Sequence, residues 1–164
     1  MNLGELLQSQ ASAHPERLAM IFNDFCYSFR HLNDTANKIA NALVHSGIEK
    51  GDRVSVYMPN CPEHVMVHYG VLKAGAMLVP LNVMYREREI AHILNDCEAK
   101  AILTTEALVD NVYSCLSAIP SVTRVIVTGK ASGPNTLLFE EVMADTLAHE
   151  PKINIREQDE ALIC

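Results

Sequence analysis

His64 and His68 stand four residues apart in a stretch that reads as a helix, a spacing that puts two imidazoles on one face and could turn both toward one metal ion. A metal centre needs further ligands, and Glu63 points a different way on such a helix. Two ordinary helix-face histidines are the simpler reading. Cys61 lies just before the same helix, where the positive end of the dipole lowers a thiol pKa and could yield a reactive thiolate. No basic residue adjoins it and no general base can be assigned, which favours a packing cysteine. Arg53, Arg86 and Arg88 are of the type that grips phosphate at strand or helix ends. The alternating signs of Arg86, Glu87, Arg88 and Glu89 read more simply as a solvated first helical turn. His14, His31, His45, His92 and His149 are isolated in the sequence.

Gly47, Gly51, Gly70 and Gly75 form no G-x-G-x-x-G after a strand, and no G-x-x-x-x-G-K-[ST] occurs. No stretch supplies a nucleophile, a base and oxyanion donors together. The residues therefore assign no catalytic, cofactor-binding or metal-binding position.

The elements that would have to carry any site are easier to read. Leu72-Lys-Ala-Gly-Ala-Met-Leu-Val-Pro-Leu-Asn82 ends a helix at Gly75, where the backbone can turn left-handed, and starts a buried strand over Ala76 to Val79 at once. Pro80, which donates no ladder hydrogen bond, closes that strand. Before it come a short helix from Asn2 to His14-Pro15, and a hairpin of Leu18–Phe22 and Cys26–Phe29 turning at Asn23-Asp24. Ser28 is placed to cap a long helix that runs to Ser46-Gly47. Its apolar stripe is Leu32, Ala36, Ile39, Ala40 and Leu43, and Asn33, Asp34, Asn37 and Lys38 occupy the other side. A strand follows over Arg53–Met58, then a helix from Cys61-Pro62 to Lys73.

Beyond the pivot the pattern predicts a helix from Tyr85 through Leu94 and a strand over Ala99–Thr104. A helix over Thr105–Ala118 and a strand over Arg124–Thr128 come next. Ala131–Asn135 reads as loop, Leu138–Asp145 as a short helix, and Asp159–Cys164 as the opening of one more strand. Strand and helix alternate from Arg53 to Thr128, which implies an α/β fold: a doubly wound, mainly parallel sheet with flanking helices, plus a small N-terminal β-hairpin. Ligands of such sheets sit beyond the carboxyl ends of the strands. That places a site near Pro59-Asn60, Leu81-Asn82, Thr104-Thr105 and whatever follows Cys164.

Composition narrows the classes further. A chain of 164 residues, 49% hydrophobic and 20% charged, can bury a globular core as one domain, with no internal linker. A formal charge of -7 argues against nucleic acid or an anionic membrane surface as partner. Cys26, Cys61, Cys97, Cys115 and Cys164 are odd in number and widely spaced, which suits free thiols in a reducing compartment. There is no signal-peptide pattern and no apolar run of the roughly 18 residues a membrane span needs, so a soluble, cytoplasmic protein is expected.

The short motifs carry a resemblance that the single residues do not. Ser28-Phe-Arg-His-Leu32, Ala36-Asn-Lys-Ile-Ala40, Gly47 and Gly51-Asp-Arg-Val54 are followed by Pro59-Asn-Cys-Pro-Glu63, Leu72-Lys-Ala-Gly-Ala76 and Val79-Pro-Leu-Asn82. In that order and spacing, over about residues 3 to 164, the chain resembles the N-terminal part of the adenylate-forming (acyl-adenylate synthetase) superfamily. Asn82 to Ile90, with Leu94-Asn95-Asp96, is most similar to acyl-CoA synthetases, including fatty-acid ligases. His31 stands where the family's first motif usually has Glu.

The resemblance implies an ATP-dependent carboxylate–CoA ligase that uses ATP, Mg²⁺ and CoA on a carboxylic-acid substrate. It implies that residues 1–164 are the N-terminal portion of the large adenylation domain, an incomplete subdomain ending just before the ATP-phosphate loop. None of the three cofactors is then expected to bind tightly to this portion, which would be inactive alone. Lys73 lies in a family motif with a structural role, and a homodimer is implied as possible. Two alternatives remain at this point: an assembly module using an unpaired sheet edge, or a stand-alone flavodoxin-like nucleotide binder.

Overall fold

Local signals start most of the elements. In the computed structural model, which describes residues 1–163, Asn2 caps helix α1 (Leu3–Ala13). Its Oδ1 accepts from Glu5 N at 2.9 Å while Glu5 returns a carboxylate oxygen to Asn2 N at 3.0 Å. Strands β1 (Leu18–Phe22) and β2 (Phe25–Ser28) form the antiparallel hairpin, with Asn23 at its tip at φ 53°. Ser28 Oγ then accepts from His31 N at 3.2 Å and opens α2 (Phe29–His45).

The main sheet begins with β3 (Arg53–Tyr57), followed by α3 (Pro62–Lys73) and β4 (Met77–Pro80). Next come α4 (Glu87–Asp96), β5 (Ala101–Thr105), α5 (Val109–Cys115) and β6 (Arg124–Thr128), and then β7 (Thr136–Leu138) and α6 (Phe139–Asp145). The five strands lie in the order β4-β3-β5-β6-β7, all parallel. Strand order reverses direction at β3, the switch point of a doubly wound sheet.

Two cores follow from the alternation of side chains along the strands. Val54, Val56, Ala101, Leu103 and Ile126 meet α1, α2, α3 and α6 on one face. Tyr57, Ile102, Val125 and Val127 meet α4 and α5 on the other. The α/β expectation, with its hairpin, holds.

Several elements differ from the sequence reading, beginning with β5, which starts at Ala101 rather than Ala99, and β3, which ends at Tyr57 rather than Met58. Thr105 is not helical: it is the last residue of β5, paired with Thr128. A turn closed by Leu108 N on Thr105 O delays α5 to Val109, and a short 3-10 segment, Leu116–Ala118, finishes the expected helix. Helix α4 starts at Glu87 rather than Tyr85, because the Glu89 carboxylate accepts from Arg86 N and fixes Arg86 outside the helix. β7 was not anticipated, since three residues carry no periodicity. Of the strand expected over Asp159–Cys164, Leu162 makes one parallel bridge to Leu78, and Cys164 lies outside the described residues.

The largest correction concerns α2. Asn33 and Asn37, assigned with Asp34 and Lys38 to the side away from the apolar stripe, are buried, and so is Asn41 one turn on. They occupy one line at four-residue spacing. A segment more than one hundred residues later covers them: Asn37 Nδ2 donates to Ala148 O at 3.1 Å, and Asn41 Nδ2 to His149 O at 2.8 Å.

Candidate functional site

The carboxyl ends of β3, β5 and β6 open into a cleft of about 710 Å³. Pro59, Thr105, Thr128 and Gly129 supply its floor from the sheet. Cys61, Glu63 and Met66 come from the start of α3, Tyr27, His31 and Thr35 from β2 and α2, and Phe139, Glu140 and Met143 from α6. Two of the expected locations, Pro59 and Thr105, are thus brought together. Gly129 and the α6 residues join them by way of β7, which the sequence did not mark.

Leu81-Asn82 does not line this cleft. Asn82 Oδ1 instead accepts from Met84 N at 2.9 Å and tightens the turn after β4. On the opposite face the corresponding space is filled. The wholly buried Tyr57 donates its hydroxyl to Tyr85 O at 2.8 Å and accepts from Asn111 Nδ2 at 3.1 Å.

The cleft is mainly apolar, and its charged groups are carboxylates. No Lys or Arg stands among the residues lining it, and Glu63 and Glu140 do. Glu140 Oε1 is engaged, accepting from Gly129 N at 3.1 Å. Such a lining does not suit a polyphosphate, which needs cationic or backbone donors. The Thr105 hydroxyl oxygen is enclosed and has no hydrogen-bond partner among the described residues.

Cys61 has no side-chain capping bond at the start of α3. Burial pushes its thiol pKa up, against the lowering effect of the His64 backbone, and Glu63 adds to the rise. The protonated thiol of a packing cysteine results, opposite to the activation that the helix dipole alone would suggest. Cys26, Cys61, Cys97 and Cys115 are all free.

His64 and His68 touch edge to face, with ring centroids 4.4 Å apart. Both Nε2 atoms are enclosed and unpartnered, and among the described residues no group of three or more His, Cys, Asp or Glu side chains gathers about a common point. Burial lowers the pKa of His64. Burial and then the neighbouring His64 charge bring His68 down to about 4. Because the folded value lies below the unfolded one of 6.5, the unfolded chain binds more protons between pH 6.5 and about 4. Stability contributed by neutral His68 is therefore complete above that window and is lost as pH falls through it.

Unfolding by urea should show a loss of about 2 kcal/mol between pH 7 and pH 5, most of it absent in His68→Leu. An equal loss in both proteins would show that His68 is not its source. The Asp159 carboxyl, held at about 2 by Lys50, the Arg156 backbone and the Arg156 side chain, titrates below this window and does not confuse it.

The arginines are not brought together. Arg53 lies at the amino end of β3, away from the cleft, where it pairs with Glu98 at 3.2 Å and donates to Cys97 O. Arg86 at the cap of α4 and Arg88 on its first turn are exposed beside Glu87 and Glu89, the solvated arrangement expected of alternating charges.

Lys73 is the titratable residue whose setting could not be foreseen. It is 2% exposed, and its Nζ donates to Asn33 Oδ1 at 2.9 Å and Asn37 Oδ1 at 2.8 Å and pairs with Glu150. All three ammonium hydrogens are used. Burial lowers its pKa and the Glu150 carboxylate opposes that shift. Its place is among the helices rather than in the cleft.

Comparison with known proteins bears on this arrangement directly. The profile of one family, AMP-binding enzyme, matches residues 7–164. The long-chain-fatty-acid–CoA ligase of Bacillus subtilis is 31% identical over 153 residues, which are 93% of this chain and 27% of the relative. A medium/long-chain-fatty-acid–CoA/3-oxocholest-4-en-26-oate–CoA ligase of Mycobacterium marinum is 30% identical over 132 residues, 80% of this chain and 24% of the relative. The chain therefore spans about a quarter of the length of these relatives. Among solved structures, the N-terminal domain of FACL13 from Mycobacterium tuberculosis superposes with a TM-score of 0.87 at 27% identity, covering 99% of this chain and 41% of that one. No helix among the described residues is long and apolar enough to cross a membrane. By the family match over nearly its whole length, the chain belongs to the AMP-binding enzyme family.

Proposed function

We propose that the chain is the N-terminal portion, residues 1–164, of the adenylation domain of an ATP-dependent carboxylate–CoA ligase of the fatty-acid type. The observation that carries this reading is the 31% identity to a long-chain-fatty-acid–CoA ligase over 93% of the chain. The reaction joins a carboxylate to ATP with release of pyrophosphate, and then passes the acyl group from AMP to the thiol of CoA with release of AMP. Adenylation turns a poor carboxylate leaving group into a good one, and the charge gathered on the phosphates has to be offset by cationic donors and Mg²⁺.

This portion supplies the wall of the site rather than its chemistry. The cleft at the carboxyl ends presents Glu63 and Glu140 and no cationic side chain, a poor match for triphosphate. The described residues offer no cluster fit for Mg²⁺, so none is assigned to it and no step is drawn through it. The cleft's apolar, acidic lining also weighs against a stand-alone nucleotide binder.

The testing experiment is acid-dependent pyrophosphate release from ATP by the 164 residues alone, which is expected to be absent. Titration with AMP and ATP separates the alternative, because tight binding of either would favour the stand-alone reading.

A further inference from the structure

The segment from Leu147 to Glu160 contains no helix or strand, yet it runs against α2, α3 and the start of α1 and delivers Ala161–Ile163 to the outer edge of β4. There Leu78 N donates to Ala161 O, and Ile163 N to Leu78 O, each at 2.9 Å. A backbone without its own ladder can be held in place by side chains that bond its carbonyls. Asn37 and Asn41 bind its first carbonyls. Farther along, Lys50 Nζ donates to Asn154 O at 2.8 Å and pairs with Asp159, and Asn2 Nδ2 donates to Ile155 O at 3.1 Å.

Among these holds, Lys73 alone brings a full charge out of water. Burying an ammonium is costly, and an apolar side chain could fill the volume. What an apolar side chain would not supply is a directional grip on one carboxylate. The Asn33 and Asn37 carbonyl oxygens orient the ammonium from α2, and their position fixes where Glu150 can sit.

We propose that Lys73 is a positioning residue: through Glu150 it sets where the segment crosses the helices, and so the register in which Ala161–Ile163 meets β4. Its bearing on the reaction rests on the ligase reading. The register itself does not depend on that reading.

Amide hydrogen exchange on the whole chain tests it, with Lys73→Met and Glu150→Ala beside the parent. Exchange at Leu78 and Ile163 should speed up about tenfold or more in both variants, while amides of β3 and β5 stay within about twofold. Glu150 is partly exposed, so Glu150→Ala decides the matter if Lys73→Met does not fold. Unchanged exchange at Leu78 and Ile163 in Glu150→Ala, or acceleration shared equally by β3 and β5, overturns the proposal. Either result stands whether or not the parent enzyme makes acyl-CoA.

Discussion

Gly70→Val should leave little folded protein at 25 °C, and Gly70→Ala should be destabilised although alanine is the better helix former. Gly70 lies where α3 crosses α2. A Cβ built there meets Ile39 Cγ2 at 2.5 Å, Ile39 Cβ at 2.6 Å and the Ala36 carbonyl oxygen at 3.2 Å. Two effects compete. Helix propensity favours alanine over glycine by about 0.5–1 kcal/mol. Overpacking a filled contact costs about 1–3 kcal/mol or more, and here the obstruction includes a branched Cβ and helix backbone.

Space wins over propensity. Valine adds two methyl groups to the same contact and should cost at least about 3 kcal/mol, a large share of a total stability of about 5–15 kcal/mol. Urea unfolding checks the order parent, Gly70→Ala, Gly70→Val. The double variant Gly70→Ala with Ile39→Ala should be more stable than the sum of its single effects, since each change relieves the other. Additive losses would mean that the two helices do not meet at this pair.

Gly75→Val carries the second large effect, for a different reason. Gly75 has φ +73°, the left-handed region that a β-branched residue rarely adopts. A Cβ there also lies 3.0 Å from Ile153 Cγ2 and 3.2 Å from Lys50 Cγ. The conformational strain is about 1–2 kcal/mol and the contact adds a comparable amount, for about 2–4 kcal/mol in all. Asparagine tolerates this conformation better, so Gly75→Asn should fall between the parent and Gly75→Val in thermal unfolding. Equal losses for the two would assign the cost to the contact with Ile153 and Lys50 rather than to the backbone.

Such positions show how far the sequence could be read. The turn at Gly75 was legible because its conformational demand is local. The same holds for the hairpin turn at Asn23, the Ser28 cap and the strand Arg53–Tyr57, each set by neighbours within a few residues. The crowding at Gly70 was not legible. It depends on Ile39, thirty-one positions away, and the glycine looked like a helical residue with no special demand. Asn33, Asn37 and Asn41 misled for a related reason. Polar residues opposite an apolar stripe ordinarily face water, and here a coil that follows much later partners Asn37 and Asn41 while Lys73 of α3 donates to Asn33 and Asn37.

The candidate site divides along the same line. The rule that ligands lie beyond the carboxyl ends of parallel strands pointed to Pro59 and Thr105, which line the cleft. It could not show that Tyr57 and Asn111 close one face while α6 borders an open cleft on the other. Nor could it show that the lining is acidic and apolar, because Glu63 and Glu140 are nearly eighty residues apart. The effect of burial on Cys61 likewise needed the packed structure, since the helix dipole and desolvation act in opposite directions.

The proposed function makes these 164 residues the scaffold of an adenylating site and not its catalytic machinery. The most direct measurement is pyrophosphate release from ATP and Mg²⁺ with a panel of carboxylic acids, including medium- and long-chain fatty acids, using the purified chain. The expected result is no acid-dependent pyrophosphate above the heat-denatured control. Acid-dependent release that disappears on denaturation would contradict the account and place a working adenylating site within residues 1–164.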